Sequence, residues 1–344
     1  MAAKKINFGI VGFGNIGMRH ARHIMGNPDA ELCAVCEVDS ENSNLATLPE
    51  TVTVYPTLAE MLADSTLDVV NVCTPNYLHR DMTVAVLEAG FNVVVEKPMA
   101  LSADECRAMI EASEVANRVM FVVKQNRYNK PVKEVRKLIL QGMLGKVRQV
   151  NINCFWNRNA NYYQRSPWRG KRQMDGGCLF TQFSHFVDVM YYLFGDVEAK
   201  SGRIENFGHK GLVEFEDSGT FVLTTTSGAL VSFSFTTCTY GKNMEGSITV
   251  IGEKGTVKIG GEYLNIIEYQ HVKGYTIPEV DQTNRANDYG SYQGSMSNHD
   301  KVIQNVIDTL NGTDVVKTTG AEGMKVVEII ERMYDSCADV NSVR

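Results

Sequence analysis

A glycine-rich turn near the N-terminus is the feature that most restricts the fold of this chain. The turn, Gly12-Phe13-Gly14-Asn15-Ile16-Gly17, follows the apolar segment 5–11 and precedes a predicted helix that extends to about Met25. In such an arrangement the first glycine permits a tight turn, the second lets the backbone approach a pyrophosphate, and the third lets the helix pack against the strand. The helix N-terminus adds N–H donors and the positive end of its dipole. The pattern therefore predicts a dinucleotide-binding unit.

An acidic residue indicates which dinucleotide is bound. Glu37 lies 20 residues beyond Gly17, at the end of the apolar segment 31–38. A carboxylate at this position accepts hydrogen bonds from the adenosine ribose and repels a 2′-phosphate. The sequence therefore predicts NAD rather than NADP as the cofactor. A glycine turn that binds no ligand is the alternative.

Strands and helices alternate over residues 1–125, which is typical of a doubly wound parallel sheet. Further strands are predicted at 68–73, 91–95 and 119–123, and helices at 78–89 and 102–116. These segments predict an α/β domain of the Rossmann type that binds NAD.

Beyond residue 125, short strands follow one another directly, which indicates a mostly antiparallel sheet. The predicted strands are 147–156, 212–216, 219–226, 229–237, 247–251, 255–259 and 262–269. Two predicted helices, at 298–311 and 321–337, complete the chain. We therefore expect a second α/β domain, at 126–344, with a large open sheet.

The composition argues against several functional classes. The net charge of −6 argues against nucleic acid as a partner, because phosphate backbones attract basic proteins. No apolar run approaches the ~20 residues that span a bilayer, and the N-terminal segment lacks a signal-peptide core. We therefore expect no membrane partner and a cytoplasmic location.

Cys33 and Cys36 form a C-x-x-C pair, but in a strand these positions point to opposite faces and no second pair follows. We expect reduced thiols and no metal site.

Polar residues follow two of the predicted strands, where ligands bind in sheets of this kind. Thr74-Pro75-Asn76 follows the segment 68–73, and Lys97 follows Val93-Val94-Val95-Glu96. We expect the first group, with His79, to bind the cofactor near its nicotinamide half. A lysine at 97 can donate to both a substrate hydroxyl and the cofactor. The alternatives are a plain strand-to-helix turn and a surface lysine.

The segment 175–196 is predicted to be a helix that presents a histidine. One face is apolar, and the opposite face carries Thr181, His185, Asp188 and Tyr192. Histidine as a residue type suits a general base near neutral pH, so His185 is the candidate base, and Asp188, one turn away, is a candidate orienting partner. A structural or solvated histidine is the alternative.

Together these motifs resemble the Gfo/Idh/MocA family of oxidoreductases. The resemblance is carried by the glycine turn, by Cys73-Thr74-Pro75-Asn76, by Glu96-Lys97-Pro98, and by Gly176-Gly177 followed by His185, and it extends over essentially the whole chain. It implies hydride transfer from a sugar or cyclitol carbon to NAD(P), with Lys97 as the active-site lysine and His185 as the catalytic histidine. It also implies a cis Lys97–Pro98 peptide, cofactor contacts by Glu96, Lys97 and Pro98, and a homodimer or homotetramer formed through the open sheet.

One position departs from the family pattern. Many members carry Asp four residues before the histidine, whereas this chain has Thr181. A hydroxyl cannot supply the charge of a carboxylate, so the departure points away from the inositol dehydrogenases. The run Gly-Gly-Cys-Leu-Phe-Thr-Gln-Phe-Ser-His-Phe-Val-Asp at 176–188 resembles the branch of nucleotide-sugar 3-dehydrogenases that act on UDP-N-acetylglucosaminuronate.

A basic stretch precedes this helix. Residues 135–174 contain nine Lys and Arg but no Asp or Glu. Arginine suits phosphate, and aromatic rings stack on sugar or base. We expect an anionic substrate, and the predicted contacts are Lys97, Arg158, Tyr163, Arg165, Trp168, Arg169, Thr181, Gln182 and His185. The alternative is a solvated face or an interface with an acidic partner.

The sequence thus predicts an NAD-dependent dehydrogenase of a sugar or nucleotide sugar, in particular a UDP-linked amino sugar or its uronic acid. We expect His185 to take the hydroxyl proton while Lys97 stabilises the developing alkoxide. The alternatives are an inositol or free-sugar dehydrogenase, a non-catalytic NAD(H)-binding regulator and an NAD-dependent glycosidase.

Overall fold

The computed structural model describes residues 5–63, 66–279, 285–288 and 292–337. The chain forms two compact units. The first takes in the residues up to Lys124 together with His299–Val327, and the second takes in Gln125–Asn298 and the residues from Glu328 onward. Among the described residues, no helix is both long enough and apolar enough to cross a bilayer.

The first unit is built on a six-stranded parallel sheet. Its strands are β1 (Ile6–Val11), β2 (Ala30–Cys36), β3 (Thr53–Tyr55), β4 (Val69–Val72), β5 (Asn92–Val95) and β6 (Met120–Val122). The helices between them are α1 (Asn15–Met25), α2 (Leu58–Leu62), α3 (His79–Glu88) and α4 (Ala103–Ala116). The strand order is β3-β2-β1-β4-β5-β6, which is the doubly wound order and confirms the predicted parallel sheet.

Burial explains why the sequence predicts the middle of this sheet and misses one edge. All four residues of β4 are buried, and three of them are valines, which suit a strand covered on both faces. The edge strand β3 has only three residues and none of them is buried, so it carries no apolar run.

The second unit combines short helices with a seven-stranded sheet. The helices are α5 (Lys130–Leu140), α6 (Ala160–Gln164), α7 (Arg172–Asp175), α8 (Cys178–Thr181) and α9 (Ser184–Phe194). The strands are β7 (Val147–Phe155), β8 (Val197–Glu205), β9 (Ser218–Thr225), β10 (Leu230–Thr236), β11 (Glu245–Gly252), β12 (Gly255–Gly260), β13 (Ile266–Val272), and a separate pair β14 (Ala286–Asp288) and β15 (Gln293–Met296).

The order of the large sheet is β13-β12-β11-β7-β10-β9-β8. Every neighbouring pair is antiparallel except β7 and β10, which are parallel, so the prediction of a mostly antiparallel sheet is confirmed. One strand prediction is wrong, because the segment 212–216 is a loop. Val213 and Phe215 are buried and produce a strand-like alternation, but the N–H of Glu214 donates to the Gly170 carbonyl rather than to a neighbouring strand.

Two helices near the end of the chain are α10 (His299–Leu310) and α11 (Gly320–Asp335). The helix α10 packs against α1, and Gln304 accepts a hydrogen bond of 2.9 Å from Asn27. The N–H of Val122 in β6 donates to the Thr318 carbonyl at 3.2 Å. The predicted division places all of 126–344 in one domain, whereas these contacts group His299–Val327 with the nucleotide-binding unit.

Candidate active site

The glycine turn after β1 has the shape that a pyrophosphate requires. Gly12 adopts a φ of +86°, and a Cβ there would lie 2.9 Å from the Cys73 carbonyl oxygen. A Cβ at Gly17 would lie 2.1 Å from the Gly12 carbonyl oxygen, so only glycine lets α1 approach β1 this closely. A Cβ at Gly14, by contrast, would meet nothing within 4 Å, so the backbone there faces open space. The first turn of α1, at Asn15 and Ile16, contributes N–H groups without helical partners. The residues present therefore fit the diphosphate of a dinucleotide.

Glu37 both braces this turn and keeps room for a ligand. Its Oε2 accepts from the N–H of Phe13 at 2.8 Å and from Nδ2 of Asn42 at 3.1 Å. Its Oε1 accepts from the N–H of Asp39 at 3.1 Å. An ionised carboxylate offers about four acceptor positions, so Oε1 can accept a further bond from a ribose hydroxyl. The Phe13 side chain is buried, and its backbone N–H is already used, so this residue shapes the turn.

The two polar strand ends meet at one edge of the sheet. Val11, Val72 and Val95 are register partners across β1, β4 and β5. The glycine turn, Thr74-Pro75-Asn76 and Lys97-Pro98 therefore all leave the sheet at its carboxyl edge, where ligands bind in this fold. The Lys97–Pro98 peptide is cis, which confirms the expectation from the resemblance.

His79 ties these two strand ends together. The ring is fully buried, with Nδ1 at 2.6 Å from the Pro98 carbonyl oxygen and Nε2 at 3.0 Å from the Thr74 carbonyl oxygen. Burial lowers the pKa of His79, although the two carbonyl contacts act in the opposite direction. Because both ring nitrogens face backbone oxygens, the geometry gives His79 a part in holding the loops and leaves it no nitrogen for the predicted cofactor contact.

The predicted helix 175–196 is interrupted, and its glycine pair explains where. Gly176 and Gly177 have φ values of +91° and +121° and separate α7 from α8. A Cβ at Gly177 would lie 2.4 Å from the Tyr334 hydroxyl and 3.2 Å from Oε1 of Glu216. That hydroxyl donates to the buried Glu216 carboxylate at 2.5 Å. The glycine pair thus allows α8 to begin directly against these two side chains.

His185 lies in the first turn of α9 and is 6% exposed. Its Nε2 is 3.4 Å from Oγ of Ser295, and that hydroxyl also accepts from Nε2 of Gln125 at 2.9 Å. Asp188 does not orient His185 as predicted. Its carboxylate accepts from the buried Arg127, at 3.0 Å from Nε and 2.8 Å from Nη2. The periodicity of α9 could not reveal this partner, because Arg127 comes from outside the helix.

A carboxylate that the sequence analysis missed lies beside Thr181. The Thr181 hydroxyl donates to the backbone carbonyl of Asp175 at 2.8 Å and to its side-chain carboxylate. The other carboxylate oxygen of Asp175 accepts from the N–H of Gly170 at 2.8 Å. Asp175 is buried and ends α7. The sequence feature that could have identified this carboxylate is an acidic residue directly before the glycine pair.

Arg158 is a buried cation that forms no ion pair with a carboxylate in the part of the chain that the structure describes. It is 2% exposed, and its Nε and Nη1 donate at 2.6 Å to Gln182 and to the Asn157 carbonyl, respectively. Its guanidinium carbon lies 5.1 Å from the ring centroid of Trp156 and 5.1 Å from that of Tyr292. Such contacts stabilise a desolvated guanidinium without neutralising it.

Arg169 packs against two of the same rings as Arg158, those of Tyr162 and Tyr292. Its guanidinium carbon is 4.4 Å from the ring centroid of Tyr162 and 5.6 Å from that of Trp168, and Nη1 donates to the Tyr162 carbonyl at 3.2 Å. Its Nε is buried without an acceptor among the described residues. Within that part of the chain, neither Arg158 nor Arg169 forms an ion pair with a carboxylate. The two guanidiniums and their rings, here called the arginine cluster (Arg158, Arg169, Tyr162, Trp168, Tyr292), form a setting for an anion.

Two predicted substrate contacts lie elsewhere. Tyr163 is buried against Tyr162 and His209, with ring centroids 5.0 Å and 5.3 Å away. Arg165 is exposed. The sequence analysis missed Tyr292, since the sequence around it is polar and carries no motif, and Asn243, which accepts from Nη1 of Arg158 at 3.2 Å.

Two groups of side chains in the described residues have the composition of metal ligands, namely His20, Glu96 and His299, and His209, Asp217 and Cys238. In the second group, Nδ1 of His209 faces the Asp217 carboxylate at 3.0 Å and Nε2 faces the Arg158 carbonyl at 2.6 Å. The hydrogen bond to Asp217 raises the pKa of His209. A ring that donates at both nitrogens has no lone pair for a metal.

Two family descriptions match this chain. Residues 6–124 match the NAD-binding Rossmann fold of the oxidoreductase family, and residues 136–344 match the C-terminal α/β domain of the same family. The chain belongs to the Gfo/Idh/MocA family.

Two solved members of this family are similar over nearly the whole chain. The WlbA dehydrogenase from Bordetella pertussis, in complex with NADH and UDP-GlcNAcA, is 35% identical, has a TM-score of 0.89, and covers 98% of this chain and 96% of its own. The WlbA dehydrogenase from Chromobacterium violaceum, with the same two ligands, is also 35% identical, has a TM-score of 0.87, and covers 98% of this chain and 94% of its own.

More distant family members act on several kinds of substrate. The 2,7-anhydro-N-acetylneuraminate hydratase of Escherichia coli K12 is 29% identical over 60% of this chain. The match spans 54% of that protein, little more than half its length. The inositol 2-dehydrogenase of Salmonella typhimurium LT2 is 27% identical over 73% of each chain.

Proposed function

We propose that this protein is an NAD-dependent dehydrogenase that oxidises a ring hydroxyl of a UDP-linked N-acetylamino uronic acid. The observation that carries the proposal is the arginine cluster, in which Arg158 is buried, Arg169 is half-buried with its Nε enclosed, and neither forms an ion pair with a carboxylate among the described residues. Leaving a buried charge unpaired costs several kcal/mol, and an anionic substrate offsets that cost. Both WlbA structures contain a substrate of this class.

The chemistry divides between the cofactor and the side chains of this chain. NAD, when bound, accepts the hydride from the carbinol carbon. The glycine turn and Glu37 hold its diphosphate and ribose. Nε2 of His185 takes the hydroxyl proton as general base, and the ammonium of Lys97 stabilises the alkoxide as it forms. The products are a ketone, NADH and a protonated His185.

In this proposal the arginine cluster recognises the charged part of the substrate. Nε of Arg169 lacks an acceptor among the described residues, and Nη2 of Arg158 has no protein acceptor there either. Both can donate to a diphosphate or a carboxylate. Trp168 and Tyr292 supply ring faces for a sugar or base, and Gln182 fixes the orientation of Arg158 through Nε.

An inositol or free-sugar dehydrogenase is the second candidate, and Asp175 favours it. Its carboxylate lies against Thr181, the position where many family members carry Asp. If Asp175 served a neutral polyol, the arginine cluster would have no anion to bind.

The two candidates are separated by activity and binding measurements on the intact protein. We expect NADH absorbance to rise with NAD and UDP-GlcNAcA, and to stay flat with myo-inositol or glucose. In calorimetry on the NAD-loaded protein, Arg169→Ala should weaken binding of UDP-GlcNAcA by roughly ten- to a hundredfold, the range for one bond to a charged group. Arg165→Ala removes an exposed arginine from the same stretch and is the matched control. Oxidation of myo-inositol with no binding of any UDP-sugar would refute the first candidate.

We also propose that the protein forms a homo-oligomer through the open face of the seven-stranded sheet. The opposite face is apolar, with Ile152, Phe221 and Phe233 fully buried. The open face carries short polar side chains whose hydrogen bonds run from strand to strand, such as Ser232 to Asn151 at 2.8 Å. An exposed sheet face that a second copy of the chain presents in the same way suits a self-complementary interface.

A further inference from the structure

Glu96 is a buried carboxylate directly before Lys97, and both of its oxygens have donors. The side chain is 4% exposed. Its Oε2 accepts from the backbone N–H of Lys97 at 3.0 Å, and its Oε1 lies 2.9 Å from Nε2 of His20. Burial acts to raise the pKa of Glu96, but the contacts with His20 and His299 outweigh it and hold this pKa well below its usual value. Glu96 is therefore an interior anion that depends on its donors.

The direction of the hydrogen bonds at His20 follows from its second partner. His20 lies on α1 and is fully buried, and its Nδ1 is 2.8 Å from Nδ2 of Asn71 in β4. An amide nitrogen only donates, so Nδ1 accepts and the ring proton is on Nε2. Nε2 therefore donates to Glu96. Asn71 thus donates to His20 and His20 donates to Glu96, whose other carboxylate oxygen accepts from the backbone N–H of Lys97.

Lys97 is thus anchored on both sides. Its preceding residue, Glu96, is held from α1 by His20, and its following residue, Pro98, is held from α3 by His79. Neither imidazole has a part in the proposed mechanism. Two buried polar rings beside one short turn lower the stability of the fold unless their donors are satisfied. Here the two rings bond to Glu96 and Pro98, the residues on either side of Lys97.

We propose that His20 is a positioning residue for hydride transfer, which fixes the backbone of Lys97 at the end of β5 through the carboxylate of Glu96. The inference rests on the role proposed above for Lys97. His20 is buried, so in this proposal it affects hydride transfer only through the position of Lys97. Its loss should therefore lower turnover and leave intact the binding of NAD, which uses the glycine turn and Glu37.

Other ionisable side chains surround this chain of bonds. His299, on α10, has its Nε2 at 3.4 Å from Oε1 of Glu96 and its ring edge-on to His20, with centroids 5.4 Å apart. Burial lowers the pKa of His299 to about 4, so this neighbour is uncharged near neutral pH. The remaining ionisable neighbours of the group are Arg19, His23, Cys73, His79, Lys97 and Asp300. Removal of the His20 donor therefore raises the pKa of Glu96.

The test compares His20→Leu with His20→Gln in the full-length enzyme. Leucine removes the donor, whereas glutamine places an amide N–H near the position of Nε2. We expect His20→Leu to lower kcat by about ten- to a hundredfold, the range for one hydrogen bond to a buried charge, with the Kd for NAD unchanged. The acid limb of kcat/KM should move to higher pH, since Glu96 then takes up a proton more readily. His20→Gln should restore most of kcat.

A matched control and a second variant complete the experiment. His271→Leu changes an exposed histidine of β13, outside this group, and should leave kcat and the pH profile unchanged. Glu96→Gln offers one oxygen to two donors, so it should lower kcat as well, and adding His20→Leu to it should cost less than the product of the two effects.

A measurement without substrate separates this inference from the proposed function. Hydrogen exchange of the Lys97 amide should be faster in His20→Leu than in the wild type, at equal melting temperature. Wild-type kcat and wild-type exchange in His20→Leu would overturn the inference, and so would a loss of NAD binding that parallels the loss of turnover. If no UDP-sugar is oxidised, the proposed substrate is wrong, and the exchange rates still decide the role of His20.

Discussion

Lys97 lies at the carboxyl end of β5, between two neighbours that are both anchored by buried imidazoles. We expect Lys97→Met to leave NAD affinity largely intact and to lower kcat by roughly 10²–10³, the usual effect of removing a preorganised charge near an oxyanion. NADH absorbance gives kcat, and calorimetry gives the Kd for NAD. Lys254→Met, which changes an exposed lysine of the second unit, is the control. Near-normal turnover in Lys97→Met would show that Lys97 takes no part in the reaction.

We expect Glu37 to determine the preference for NAD over NADP through its charge. Glu37→Gln keeps an oxygen for the Phe13 N–H but removes the negative charge that faces a 2′-phosphate. The ratio of kcat/KM for NAD to that for NADP should fall by roughly tenfold or more. Asp39→Asn removes a neighbouring charge on the protein surface and should change the ratio little. Equal use of both cofactors by the wild type would contradict the assignment.

Single residues were predictable where a local motif determines them. Gly12, Glu37 and Lys97 follow from spacing along one strand–turn–helix unit or from a strand end. The partners of side chains were not predictable, because they arrive from distant parts of the chain. Asp188 faces His185 by helical phase, yet it is bonded to Arg127, 61 residues earlier.

At the scale of elements, two glycines of one turn should respond to the same substitution in opposite ways. Gly17→Ala forces a Cβ onto the Gly12 carbonyl between β1 and α1, so we expect a loss of about 1–3 kcal/mol of stability. Gly14→Ala meets open space at a φ of −72° and should leave the melting temperature unchanged, but its methyl group occupies the approach to the pyrophosphate and should weaken NAD binding. Thermal melts and NAD titrations on both variants test this. Unchanged NAD affinity in Gly14→Ala would place the diphosphate elsewhere.

Strands that are buried on both faces of a sheet, such as β4, could be predicted from their apolar runs. Strands and loops whose structure depends on contacts with distant residues could not be predicted in this way. In the edge strand β8 the register shifts between Ala199 and Ser201, so its alternation is broken midway. The loop 212–216 has the opposite property, since its buried side chains alternate although its backbone is not in a ladder. The alternation of apolar and polar residues indicates which side chains are buried, but buried side chains alone do not identify a strand.

At the scale of the whole molecule, the proposed interface on the open face of the large sheet predicts the state of assembly. We expect the wild type to sediment as a multiple of the 38.2 kDa chain. Ser232→Arg places a long charged side chain in the middle of that face and should shift the protein to the monomer in analytical ultracentrifugation. Ser227→Arg makes the same change in the turn between β9 and β10 and should leave the assembly intact. A monomeric wild type would refute the proposed interface.

The grouping of His299–Val327 with the first unit has a consequence for synthesis on the ribosome. Chains usually fold domain by domain from the N-terminus as they emerge, at ~5–20 residues per second. Here α1 lacks the partner helix α10 until residues 125–298 have also been made. The cofactor unit therefore reaches its final structure only after residues 125–298 and α10 have also been translated, and a nascent chain arrested at residue 124 should not retain NAD.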